Sequence, residues 1–143
     1  MKLWQEATAL AADVLRHARH AAKRDSMAFL DRVIVTAAGV AEAIAHGYGR
    51  TEALDQQRLF ESARRGLATL ETQLAIVRQA GLLPAEASTQ LAARAAVVGR
   101  LLAGYLSYVE RQRTAERDEG VLSISPAAAG SPLRKALDEI YCA

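Results

Sequence analysis

The densest group of side chains able to do chemistry is a run of six cationic or protonatable residues in nine positions: Arg16, His17, Arg19, His20, Lys23 and Arg24. At about 100° per residue they fall on one arc of a helix, opposite Val14, Ala18 and Ala21. If the neighbouring helices run antiparallel, Arg32, Arg78 and the start of a fourth helix should lie near this end, with Asp25, Asp31 and Glu86 as the opposing acids. Arginine far outnumbers lysine, and its planar fork suits phosphate. Arg16, Arg19, Lys23, Arg24, Arg32 and Arg78 therefore make a candidate nucleic-acid surface. The plainer alternative is a solvated face whose cations complement a helix C-terminus, and a formal net charge of only +2 favours it.

Other chemistry finds less support in the residue pattern. Helical bundles that hold two metal ions use paired Glu-x-x-His motifs, and the sequence has none. Asp13 with His17 and Glu42 with His46 are spaced i, i+4, but antiparallel helices put the two pairs toward opposite ends. His17 with His20 supplies two ligands without a third. The lone cysteine, Cys142, is close to the C-terminus, and no serine has a histidine and an orienting carboxylate nearby in sequence. Gly47-Tyr48-Gly49-Arg50 follows a helical pattern, whereas a phosphate-binding loop follows a strand. The expectation is a protein with no catalytic residues, no metal and no cofactor.

The elements that must position these residues are helices. The chain has 143 residues, 51% of them hydrophobic and only 5% aromatic, with alanine abundant and three prolines, which argues against a β-sandwich or barrel. Leu3, Ala7, Leu10, Val14, Ala18 and Ala21 recur at three- and four-residue steps and define a first helix ending near Lys23 to Asp25. Ser26 is a good N-cap for a second, with its stripe at Phe29, Leu30, Val33, Ile34, Ala37, Val40, Ala41 and Ile44 and its end near His46. Gly47 and Gly49 then offer two positions where positive φ costs little, suiting a reversal of the chain.

A third helix begins between Thr51 and Asp55, either of which is a candidate cap. Its stripe runs through Leu59 or Phe60, Ala63, Leu67, Leu70, Leu74 and Val77 to a stop at Gly81. Pro84 suits the first turn of a fourth, with Leu91, Ala95, Val98, Leu102, Tyr105 and Val109 as its apolar positions. Four rods of similar length with short connections form an all-α, antiparallel up-down-up-down four-helix bundle over residues 1–118. Residues 119–143 read as a linker and a short amphipathic tail helix in which Leu133, Leu137 and Ile140 share one face.

Ala92, Ala96, Gly99 and Ala103 form a strip of small residues beside the core stripe of the fourth helix. Such a strip serves tight packing inside one bundle or contact between bundles. With Ile34, Val35, Leu133, Leu137 and Ile140 it makes the candidate oligomer interface. No run of 18 apolar residues occurs and Met1-Lys2-Leu3-Trp4-Gln5-Glu6 turns polar early, so the expected location is the cytoplasm, without membrane contact.

The chain resembles the four-helix-bundle family of bacterial intervening-sequence proteins encoded within large-subunit ribosomal RNA genes, a family that includes accessory proteins of diversity-generating retroelements. The likeness covers about residues 3–110. It is carried by Leu3-Trp4-Gln5 with Ala7, Leu10 and Val14, by Leu30-Asp31 through Ile44-Ala45, by Gly47-Tyr48-Gly49-Arg50, and by Leu70-Glu71-Thr72-Gln73-Leu74 with Gly81-Leu82. The resemblance implies a bundle that assembles as a homopentamer, without enzymatic activity; in the retroelement branch it implies a basic ring associating with reverse transcriptase and RNA.

Two departures stand out. Ile34-Val35 replaces the family's usual Arg-Arg pair, and Ala43 and His46 replace its common Asn and Glu. The first change widens the apolar face of helix two and favours packing over RNA contact. Gly47, Gly49, Arg50 and Glu71 are expected to be structural, with Glu71 a partly buried carboxylate paired with an arginine such as Arg50 or Arg32. The functional expectation is an oligomeric scaffold, a homopentamer by resemblance, whose basic surface binds RNA or a nucleic-acid-processing protein. The alternative is a protein-interaction module with no nucleic-acid role, and neither reading calls for a small-molecule substrate.

Overall fold

The computed structural model describes residues 1–21 and 27–119. It contains four helices: α1 (Lys2–Ala21), α2 (Met27–Tyr48), α3 (Ala53–Ala80) and α4 (Ala85–Glu119). Consecutive helices pack against each other and α4 closes the ring on α1, giving the antiparallel up-down-up-down bundle. Lys23, Arg24 and the Ser26 cap lie outside the described residues, as do the linker and the tail segment with Leu133, Leu137 and Ile140.

The apolar stripes become the core because a three- and four-residue step keeps one side of a helix dry. Leu3, Ala7, Leu10, Val14 and Ala18 of α1 are buried with Leu30, Val33, Ala37, Val40 and Ile44 of α2. Phe60 rather than Leu59 enters from α3, and it meets Tyr105 of α4 edge to face, with ring centroids 5.8 Å apart at 73°. That geometry suits the aromatic quadrupoles and adds to the burial of two large rings.

The connection between α2 and α3 departs from the expected glycine turn. Neither Gly47 nor Gly49 takes a positive φ, and α2 continues through Tyr48. Gly47 is buried inside the helix because a Cβ there would meet Phe60 Cε1 at 2.8 Å. It is glycine for close helix approach, not for a left-handed turn. Arg50 N–H donates to the Gly47 carbonyl at 3.2 Å, and Glu52, with extended backbone, caps α3 without a side-chain hydrogen bond. Neither Thr51 nor Asp55 is the cap.

The opposite connection follows the expected chemistry. Gly81 has φ 70°, its N–H donates to the Arg78 carbonyl at 3.2 Å, and Leu82 N–H donates to the Val77 carbonyl at 3.0 Å. This left-handed closure is what glycine allows after a helix. Pro84 immediately precedes α4, and its carbonyl accepts from Ser88 N–H at 3.0 Å.

Candidate interaction surfaces

On α1 the basic arc is exposed at Arg16, Arg19 and His20, with His17 half-buried. Asp13 offsets part of its charge. Arg16 Nη2 pairs with Asp13 Oδ1, and the other carboxylate oxygen of Asp13 takes Arg94 Nε of α4 at 2.6 Å. Arg19 lines a shallow pocket between α1 and α2 that also contains Asp31. Of the more distant members, Arg78 is exposed in the last turn of α3, and the Arg32 guanidinium sits over the Phe29 ring, 5.8 Å from its centroid. The described cations Arg16, Arg19, Arg32 and Arg78 are thus spread over three helices, and Arg16 shares the charge of Asp13 with Arg94 of a fourth.

The Asp13 pairing fixes the orientation of α1. Asp13 faces α4, so Trp4, Ala11 and Leu15, on the other flank of the same helix, face the α2 side. From α2, Met27 and Ile34 line the pocket shared with Ala18 and Arg19. Val35 stands on the crest of α2, also bordering the groove toward Thr69 and Gln73 of α3. Val35 is 70% exposed, Met27 51%, Trp4 44% and Leu15 40%. Among the described residues, Trp4, Leu15 and Met27 therefore lie in water on the α1–α2 side with half-buried Ile34, Val35 lies on the crest between α1 and α3, and Leu54 and Ile76 of α3 are the other large apolar side chains left exposed.

The small-residue strip lies on the opposite side. Ala92, Ala96 and Ala103 are exposed, and a Cβ at half-buried Gly99 would contact Leu67 Cδ2 of α3 at 3.5 Å. The strip therefore runs along the outer α3–α4 face and is not consumed by packing within the bundle.

Two motif residues behave differently from expectation. Glu71 is exposed on α3 and, among the described residues, in no ion pair, so the expected pairing with Arg50 or Arg32 is not found. Exposed Arg50 acts through its backbone: its carbonyl accepts from Nε2 of fully buried Gln56 at 2.9 Å, which ties the connection to the core. Gln56 was not singled out from the sequence. Its only signal is a polar residue one turn before Phe60 on the apolar stripe. Gln73, in the same motif as Glu71, is buried, and its Oε1 has no hydrogen-bond partner among the described residues. No three metal-ligating side chains come together among the described residues, and none of the four helices is long and apolar enough to cross a membrane.

The fold and these surfaces define an antiparallel four-helix bundle with an apolar outer face and a flat strip opposite it. The family model for 23S rRNA-intervening sequence proteins matches residues 1–104, and the chain belongs to that family. No curated protein and no solved structure matches it.

Proposed function

We propose that this chain is a non-enzymatic cytoplasmic scaffold that assembles into a ring of identical subunits, a homopentamer, and presents a basic surface to RNA or to a nucleic-acid-processing protein. The observation that carries the assembly is the α1–α2 face, where Trp4, Leu15, Met27 and Val35 meet water in an isolated subunit. Burying such side chains is worth roughly 25 cal/mol per Å² of apolar area, so a face of this kind favours a partner. The flat strip on the far side of the bundle suits a neighbour's apolar face. Contact between two unlike patches on opposite sides propagates in one direction and closes into a ring when the rotation allows it. The count of five rests on the family resemblance, and the C-terminal residues Leu133, Leu137 and Ile140 are assigned to the same interface.

The assembly is tested by the double substitution Leu15→Glu/Val35→Glu. Sedimentation velocity should show the assembled species replaced by single chains, with the helical circular dichroism retained; an unchanged assembly would defeat the reading. RNA contact is a separate half. Changing Arg16, Arg19, Lys23 and Arg24 together to Glu should abolish salt-sensitive retention of RNA on a filter, and equal retention by both proteins would remove it. The second reading, an interaction module with no nucleic-acid role, is favoured by the capture of Arg16 and Arg94 by Asp13. It expects no retention at all.

A further inference from the structure

At the end of the bundle opposite the basic arc, α3 and α4 form a groove of about 540 Å³ lined by Leu54, Gln57, Arg58, Glu61, Arg65 and Arg113. We propose that this groove binds a phosphate-bearing ligand through Arg58, Arg65 and Arg113. The proposal goes beyond the scaffold reading, which put the polyanion contact on α1, and it does not depend on the subunit count.

Three observations carry it. First, Arg113 is half-buried and already positioned: its Nη1 donates to Gln57 Oε1 at 2.7 Å. A guanidinium held in place loses less freedom when it takes a ligand, and its remaining N–H groups are left to donate. Second, Arg58 and Arg65 are two helical turns apart on the outer side of α3, about 10 Å along the axis, so both border the same groove. Third, the acid between them, which also lines the groove, pairs with a different arginine: Glu61 Oε2 takes Arg64 Nη2 at 2.7 Å. Among the described residues none of the three groove arginines is in an ion pair.

Three unpaired forks facing one groove select among anions. A carboxylate is satisfied by one bidentate guanidinium, whereas a phosphate has oxygens for more than one and carries the charge to match them. The Leu54 side chain adds an apolar wall for whatever bears the phosphate. Free phosphates and the phosphodiester chain of a nucleic acid share this chemistry.

The test compares two phosphate probes, inorganic triphosphate by calorimetry and a short single-stranded oligoribonucleotide by fluorescence anisotropy. Each, together with a polyglutamate peptide as the carboxylate probe, is titrated into the full chain, into Arg58→Gln/Arg65→Gln and into Arg113→Gln, with Arg100→Gln, an exposed arginine of α4 outside the groove, as the control. Gln57→Ala, which removes only the support of Arg113, is the milder variant. At least one probe should bind at least tenfold more weakly to both groove variants, less than that to Gln57→Ala, and within twofold of the unaltered chain to the control, with thermal melting unchanged throughout. Weakening confined to triphosphate assigns the groove to free phosphates; weakening of the oligoribonucleotide assigns it to the phosphodiester chain. The proposal is overturned if neither probe binds the unaltered chain, if the groove variants bind both probes as it does, or if a polyglutamate peptide alone shows the loss. None of these failures touches the assembly.

Discussion

The outer face of α1–α2 and the outer face of α3–α4 belong to one four-helix bundle and differ in what they leave in water. The first exposes Trp4, Leu15, Met27 and Val35. The second exposes alanines along α4, two large apolar side chains of α3, Leu54 and Ile76, and, toward the end of the bundle, Arg58 and Arg65 beside half-buried Arg113. Both faces lie outside the core, so neither composition is needed to fold one chain. The contrast separates two jobs on one scaffold: apolar area drives association without direction, whereas arginine forks give geometric selectivity for oxyanions.

Because both faces hang on one core, the largest expected effect comes from breaking that core. Tyr105→Ala removes a fully buried ring that packs on Phe60, and it should lower unfolding free energy by about 3–5 kcal/mol in urea titration and abolish both activities together. If association survived such a loss, the α1–α2 face would not depend on the bundle that presents it. The Leu15→Glu/Val35→Glu change comes next and should act on mass while sparing the melt, since surface substitutions away from special features stay within about 0.5 kcal/mol.

A smaller effect is expected from Ala96→Arg. It puts a bulky cation on the flat strip, and it should weaken association measurably in a dilution series with no loss of helix content. An unaltered dilution curve would remove the strip from the interface and leave the apolar face without its proposed counterpart.

The helices were legible in the sequence because burial repeats every three to four residues, and that period is written in residue type. Leu70, Leu74 and Val77 of α3 and Leu91 to Val109 of α4 are buried as their spacing requires. What stayed hidden was set by contacts between helices. Gly47 in a Gly-Tyr-Gly run reads as a turn, and only the Phe60 ring across the interface explains it. Glu71 beside two core leucines reads as half-buried, yet a rotation of one position along α3 puts it in water. The basic arc was visible as a cluster of charges, but its count omitted Asp13, which pairs with a residue on its own helix and another on α4. The opposite end mixes acids and bases in sequence, and nothing in that mixture shows that Glu61 pairs with Arg64 while Arg58, Arg65 and Arg113 of the same groove are in no ion pair among the described residues.

The central claim is that the apolar α1–α2 face is covered by another copy of the same chain. Size-exclusion chromatography of the full chain at micromolar concentration, with light scattering to read mass directly, tests it without any substitution. The account predicts a single peak at about five times the 15.4 kDa of one chain; a peak at the mass of one chain would contradict it.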